Sequence, residues 1–513
     1  MTPTERIVIL DFGSQTTQLI ARRIREIGVF SEILPCTASL EDIRQRHPKG
    51  IVLSGGPASV HAKDSPREPN GIFDLGIPVL GICYGLQLMA AHFGGKVDIG
   101  ARREYGRAKI HISSQHPFFR DLNATQTVWM SHRDRVDVLP ADFMSVASSS
   151  NSPVAAMAHR EKPFIGVQFH PEVAHTPLGQ LMLENFAYRM CHCTESWSPQ
   201  SFIEASTLSI KQRVGNGNVL CGLSGGVDSS VTALLIHQAI GNQLVCVFVD
   251  NGFLRYGESQ EVVHTFRDHF HIDLRPVDAS DRFFNALVGM SDPEEKRRIV
   301  GRVFVEVFEE EAAKIGNIDF LAQGTLYPDV IESTSFKGPS STIKTHHNVG
   351  GLPATLKLIL IEPLRELFKD EVRKVGALLG LPPSLVERHP FPGPGLSVRV
   401  LGEVTPERVE IARQADRIFI EELKVSGWYQ KVSQALAVLL PVQSVGVMGD
   451  ERTYQNVIAL RSVDSSDYMT ADMSRLPLDF LATVATRIAN EVQGVNRVVY
   501  DLTSKPPATV EWE

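Results

Sequence analysis

Cys83 lies between two glycines in Gly81-Ile82-Cys83-Tyr84-Gly85, and far along the chain stand His170 and Glu172 in Gln168-Phe169-His170-Pro171-Glu172. A thiol, an imidazole and a carboxylate are the parts of a nucleophilic site that opens an amide. Val79-Leu80-Gly81-Ile82 reads as a buried strand and Leu86 to Phe93 as a helix, which puts Cys83 on the sharp turn between them. The glycines permit strain and close backbone approach, and a helix N-terminus favours thiolate over thiol. In an extended segment residues i and i+2 face the same side, so Glu172 can orient His170, which carries the proton to the departing amine. Gly55 and Gly56, in Ser54-Gly55-Gly56-Pro57 at another strand end, offer amides to the tetrahedral oxyanion. Tyr84 and Gln87, just after the cysteine, join them as candidates for holding oxyanion or amide substrate. Taken alone, Cys83 is more simply a small buried hydrophobe and His170 a satisfied loop histidine. Three such features at the ends of three inferred parallel strands favour catalysis.

A second site follows in Ser224-Gly225-Gly226-Val227-Asp228-Ser229-Ser230. It joins an apolar strand pattern, Val219 to Leu223, to a helical one running to Ile240, so its amides sit at a helix N-terminus and suit phosphate. No Gly-Lys-Ser/Thr follows, so γ-phosphoryl transfer is not the natural reading; a grip on the pyrophosphate of ATP is. Asp228 can hold Mg²⁺ against phosphate oxygens. The bland alternative for a bare Ser-Gly-Gly is a helix cap beside a tight turn. The two sites together suggest release of ammonia and its ATP-driven attachment.

The elements needed to position these sites can be traced in order. With 513 residues the chain exceeds one hydrophobic core. Its 43% apolar and 21% charged residues are those of an ordinary globular protein. A net charge of −8 disfavours nucleic acid and anionic membrane as partners. Cys36, Cys83, Cys191, Cys193, Cys221 and Cys246 are scattered, which suits free thiols in a reducing, cytoplasmic compartment; Cys191-His192-Cys193 lacks zinc spacing. Neither a signal peptide nor a bilayer-spanning run is evident. The expected class is α/β: a parallel-sheet domain over 1–195, a second, Rossmann-like parallel-sheet domain over 196–390, and an α+β domain over 391–513. Strands are expected at Ile7 to Asp11, Gly50 to Leu53, Val79 to Ile82, Phe164 to Phe169, Asn218 to Leu223, Leu244 to Val249 and Asp319 to Ala322. In the last domain a helix is expected from Pro406 to Val425, strands at Ser444 to Met448, Asn456 to Val463, Arg497 to Asp501 and Thr509 to Trp512, and a helix from Leu478 to Val492.

The cysteine site resembles the class I, triad-type glutamine amidotransferases, and the Ser-Gly-Gly-Val-Asp-Ser-Ser loop resembles that of the N-type ATP pyrophosphatases. With Asp11-Phe12-Gly13-Ser14-Gln15, Val445-Gly446-Val447-Met448-Gly449-Asp450 and Lys505 to Glu513, the whole chain resembles the glutamine-hydrolysing GMP synthase family. That resemblance implies that XMP is adenylylated on O2 by ATP with Mg²⁺ and aminated by ammonia from glutamine, in a homodimer formed by the third domain. It implies Cys83, His170 and Glu172 as the triad, and ATP bound by Ser224, Gly225, Gly226, Val227, Asp228, Ser229, Ser230 and Lys344. Asp329, Glu332, His346 and His347 would stand at the adenylylation centre, within Tyr327 to Ser333 and a Gly- and Ser-rich lid, Lys337 to Pro353. Arg302, Pro394, Gly395, Lys505 and Glu511 would meet XMP. Thr16 stands where members often carry tyrosine. A tRNA thiolase would need a cysteine pair and a basic RNA face, a dead scaffold would not need an intact Cys83, and NAD synthetase would lack the third domain.

Overall fold

The computed structural model describes residues 5–194, 196–334, 358–448, 450–465 and 470–513. Their contacts form two units, one of 5–205 with 327–334 and one of 206–326 with 358 onward. Asp329 and Glu332, on the helix Tyr327–Thr334, therefore belong to the first unit. Lys344, His346 and His347 lie outside the described residues.

In the first unit Phe30–Pro35, Arg6–Asp11, Gly50–Leu53, Val79–Ile82 and Phe164–Val167 lie side by side and parallel. Gly50–Leu53, Val79–Ile82 and Phe164–Val167 are buried throughout, which is why they read as short unbroken apolar runs. The sheet does not stay parallel. Ala156–His159, Phe143–Ser149, Lys96–Ile112 and Thr125–Val138 continue it antiparallel to a total of nine strands among the described residues. The sequence reading missed this half, whose two long strands alternate. Thr125–Val138 exposes every second residue over most of its length, so its charged outer face hides the apolar inner one.

The second unit holds a parallel five-stranded sheet in the order Asp273–Asp278, Leu244–Asp250, Val219–Leu223, Phe320–Ala322, Ile359–Ile361. The two outer strands were not expected. Asp273–Asp278 contains Pro276, tolerated because an edge strand has a free side. A further sheet pairs Gln434–Met448 with Glu451–Asp464 antiparallel, and Glu451–Asp464 with Val495–Tyr500 parallel. Gln434–Met448 begins earlier than expected and its register shifts between Leu439 and Gln443, around Pro441, which cannot donate to the ladder. The helix Pro406–Val425 forms as expected, with Pro406 in its first turn and the Thr405 hydroxyl accepting from the Arg408 amide at 3.3 Å. Val409, Ala412, Ile418 and Phe419 on this helix share one buried core with Leu220, Val247 and Leu321 of the parallel sheet. The expected strand Thr509 to Trp512 does not form. The carbonyls of Thr509 and Val510 accept from the guanidinium of Arg461, each at 2.9 Å, instead of from a neighbouring strand. No helix among the described residues is long and apolar enough to cross a membrane.

Candidate active sites

Cys83 joins the strand Val79–Ile82 to the helix Tyr84–His92 with φ 50° and ψ −99°, a left-handed backbone that a non-glycine residue adopts only under constraint. The flanking glycines make the constraint possible. A Cβ on Gly85 would stand 2.3 Å from the Leu53 carbonyl oxygen, and one on Gly81 would stand 2.6 Å from that of Gly85. Strand and helix thus close on each other only without side chains there, and the thiol is pushed up at the sheet's end. The amide of Gln168 lies 3.7 Å from Cys83 Sγ, and Sγ lies 3.8 Å from the carbonyl of Ser131.

His170 follows the strand Phe164–Val167 and donates from Nδ1 to Glu172 Oε1 at 2.7 Å, and the Cys83 thiol stands near enough to its ring to bear on its charge. The two side chains are 10% and 0% exposed. Burial works against the imidazolium, but Glu172 and Cys83 outweigh it and hold His170 protonated well above the usual histidine range. Such a series can keep a proton ready for a leaving amine. Gly55 packs on the same ring, its Cβ position 3.3 Å from His170 Cε1. The Tyr84 amide, at the first position of the helix, has no preceding turn to bond and lies beside Cys83, as an oxyanion requires, whereas the Gly85 amide is taken by the Ser54 carbonyl at 3.1 Å. The Tyr84 hydroxyl donates to Pro66 O at 2.7 Å and the Gln87 amide to Asp134 O at 2.8 Å, so both side chains brace the walls. One partner was not foreseen from sequence: the Thr16 hydroxyl donates to Glu172 Oε1 at 2.6 Å.

In the second unit Ser224 to Gly226 link the strand Val219–Leu223 to the helix Val227–Ile240. Gly225 has φ +72°. Ser229 Oγ accepts from the Ser224 amide at 3.2 Å and Ser230 Oγ donates to Gly226 O at 2.8 Å, which shapes a cup around the first helical amides. Arg388 donates to Gly225 O at 3.0 Å and pairs with Glu258, bracing the loop from outside. Lys369 Nζ stands 2.5 Å from Asp228 Oδ2. Lys369 was also missed, although a cation at the first position of the helix Lys369–Leu378 opposes the helix dipole and is a legible sign of another task.

Comparison with known proteins supplies the remaining observation. A class-I glutamine amidotransferase family matches residues 8–190, an NAD synthase family residues 202–282, and a GMP synthase C-terminal domain family residues 421–512. Proteins named GMP synthase (glutamine-hydrolyzing) from Desulfotalea psychrophila, over 512 residues, and Vibrio parahaemolyticus, over 510, are each 57% identical, covering 99% of this chain and 99% of the relative. A Nitratiruptor protein of the same name is 57% identical over 511 residues, again with 99% of both chains covered. The chain belongs to the glutamine-hydrolysing GMP synthase family.

In this GMP synthase family member, the residues expected to meet XMP fall in different settings. Gly395 has φ +63° and packs so closely that a Cβ would stand 2.5 Å from the Phe253 carbonyl. The turn Gly395–Val398 leads into Arg399, whose fully buried guanidinium reaches Glu511 at 2.9 Å and Asp416 at 3.3 Å. Glu511 also accepts from Gln434 at 2.7 Å. Glu511 and Pro394-Gly395 are thus tied to one centre through Arg399, a residue sequence reasoning did not single out. Arg302 lies on the helix Pro293–Ile315, 58% exposed, 3.9 Å from Glu306. Lys505 pairs through its backbone with Ala471. Among the described residues no three His, Cys, Asp or Glu side chains form a metal cage. Asp228 Oδ1, however, is buried without a hydrogen-bond partner, which fits a cation that brings phosphate oxygens as its other ligands.

Proposed function

We propose that this chain makes GMP from XMP, taking nitrogen from glutamine and driving the exchange with ATP. The observation that carries the reading is Cys83 on a strained strand-to-helix turn beside a His170 that is bonded to Glu172, in a chain that also carries the Ser224 to Ser230 loop. The Cys83 thiolate attacks the carboxamide carbon of glutamine while helix and Gly55-Gly56 amides receive the oxyanion. His170 gives its proton to the leaving ammonia and then takes one from the water that releases glutamate. In the synthetase, XMP O2 displaces pyrophosphate from the α-phosphorus of ATP, and ammonia displaces AMP from C2 of the product. Amides of the Ser224 to Ser230 loop and Lys369 hold the phosphates, and Pro394, Gly395, Glu511, Lys505 and Arg302 hold XMP. Asp228 would hold Mg²⁺, which supplies neutralisation of phosphate charge when bound. The three-domain division at 195 and 390, closure of the segment carrying Lys344, His346 and His347 over ATP, roles for Asp329 and Glu332, a homodimer and a cytoplasmic location complete the proposal.

The test is GMP and pyrophosphate formation from XMP and Mg-ATP with glutamine or ammonium, for wild type and Cys83→Ala. The variant should lose at least ~10³-fold with glutamine and little with ammonium. Equal activity of both proteins with glutamine would remove Cys83 from the reaction, and no GMP from ammonium in either would overturn the synthetase assignment.

A further inference from the structure

Thr16 occupies the N-cap position of the helix Thr17–Glu26, where a threonine ordinarily turns its hydroxyl back to accept from the helix's own amides. It does not do so here; no side-chain cap bond forms. The hydroxyl instead donates to Glu172 Oε1 at 2.6 Å and meets Ser14 Oγ at 2.9 Å, while Ser14 Oγ accepts from the Thr16 amide at 3.2 Å. Glu172 is fully buried, its Oε1 shared between His170 Nδ1 and the Thr16 hydroxyl, and its Oε2 without a hydrogen-bond partner. We infer that Thr16 is a positioning residue of the glutaminase, dividing the charge of Glu172 between a hydroxyl and the imidazole and so setting how firmly His170 keeps its proton. This rests on the reading of Cys83, His170 and Glu172 as the glutamine-cleaving series.

The Thr16 hydroxyl and the His170 imidazole compete for a single oxygen, Glu172 Oε1. A donor to a carboxylate withdraws charge from it, and in a dry site that withdrawal is felt by the second donor. Without the hydroxyl the whole charge of Oε1 faces His170, the imidazolium holds its proton more tightly, and ammonia, which must receive that proton, leaves more slowly. Few other charges intervene. Cys83 faces the ring from the turn, and Arg23 on the helix Thr17–Glu26 donates to the backbone carbonyl of Glu172 at 3.1 Å. Asp11 at the end of its strand is engaged by Thr17 Oγ1 at 2.7 Å and the Gly13 amide at 2.9 Å. His175, farther along the segment that carries Glu172, packs against Trp129 with ring centroids 4.4 Å apart and the rings tilted by 34°.

The experiment compares wild type, Thr16→Val, Thr16→Ser and Cys83→Ala in the full chain, measuring glutamine-dependent and ammonium-dependent GMP formation from pH 6 to 10. Thr16→Val should lower kcat with glutamine roughly tenfold, leave KM for glutamine nearly unchanged and move the alkaline limb of the profile to higher pH. Ammonium-dependent synthesis should be unchanged, and Thr16→Ser, which keeps the donor, should restore both rate and profile. A Thr16→Val protein with lowered melting temperature but a wild-type profile would make the bond merely structural and overturn the inference, as would equal losses in Val and Ser variants. If Cys83→Ala retains glutamine-dependent activity, the underlying glutaminase reading fails instead.

Discussion

Lys369 and Asp228 face each other at 2.5 Å, with side chains 46% and 29% exposed, so the phosphate cup carries its own neutralising pair before any nucleotide arrives. The lysine is a compact point charge that can shift from carboxylate to phosphate with small movement. Replacing it by methionine leaves Asp228 repelling the phosphates it must approach, so pyrophosphate release should fall roughly 10²- to 10³-fold with either glutamine or ammonium. Alkylation of Cys83 should proceed at the wild-type rate, since nothing in the first unit has changed. Lys369→Arg should recover only part of the loss, because a planar fork does not replace a point donor. Pyrophosphate release within a factor of about two of wild type in the methionine variant would remove Lys369 from phosphate binding. The same scale shows what sequence could convey. Cys83, His170 and the Ser224 to Ser230 loop announce themselves because scarce chemistry is packed into short spacings. Thr16, Lys369 and Arg399 reach their partners across 156, 141 and 112 positions, distances over which no local pattern survives.

Among the elements, the short parallel strands of the first sheet's centre were legible and its two long antiparallel strands were not. Gly50–Leu53 and Val79–Ile82 stand out as apolar runs, whereas Lys96–Ile112 and Thr125–Val138 are broken up by charged residues such as Arg102-Arg103-Glu104 and Arg133-Asp134-Arg135, and the pairing that makes them strands is tertiary. The proline-rich stretch from His389 was legible as a break in regular structure, but not the role of His389 itself. That residue is 5% exposed, stacked on Tyr429 at 3.9 Å and bonded through Nε2 to the Tyr429 carbonyl at 2.8 Å, with Nδ1 buried and unpartnered. Protonation would place a charge on Nδ1 with nothing to receive it, and burial accordingly pushes the pKa down to about 4. In the unfolded chain a histidine titrates near ~6.5, so between the two values the unfolded state binds more protons. Stability from this group is therefore complete above about pH 6.5 and is lost as pH falls through about 4, at most about 3 kcal/mol in all. His389→Phe, which keeps the stacking, should be less stable at neutral pH but lose less on acidification. Urea midpoints at pH 7, 6, 5 and 4 test this, and parallel pH slopes in the two proteins would mean that His389 is not the titrating group.

On the scale of the whole molecule, each unit has its own core, and the last residues of the chain complete the second one from inside. The buried cluster around Val8, Leu53 and Leu86 belongs to the first unit alone, whereas Leu220, Val247, Val409, Leu439 and Ile488 form a continuous core for both sheets of the second. Three cations within that second unit are fully buried and depend on residues 509–513. Lys296 stands 2.6 Å from Glu513, Arg399 stands 2.9 Å from Glu511, and Arg461 takes the carbonyls of Thr509 and Val510 together with Asp501 at 2.7 Å. Removing one partner of a buried pair costs about 3–5 kcal/mol because the remaining charge stays in a poor solvent. The losses share neighbours and will not add, yet even one or two rival the 5–15 kcal/mol by which a typical domain is stable. A chain ending at Ala508 should therefore lose the cooperative calorimetric transition of the second unit and all ammonium-dependent GMP formation. Cys83 should still react with iodoacetamide at its native rate, because its support comes from the first core. Glu511→Gln separates folding from binding: the amide keeps the shape and an acceptor for Arg399 but removes the charge. It should lower the melting temperature by several degrees, about 2–4 °C per kcal/mol for a domain of this size, while raising KM for XMP. A truncated chain that melts like wild type and still aminates XMP would show that the three buried cations find other partners, and the last five residues would then be dispensable to both fold and site.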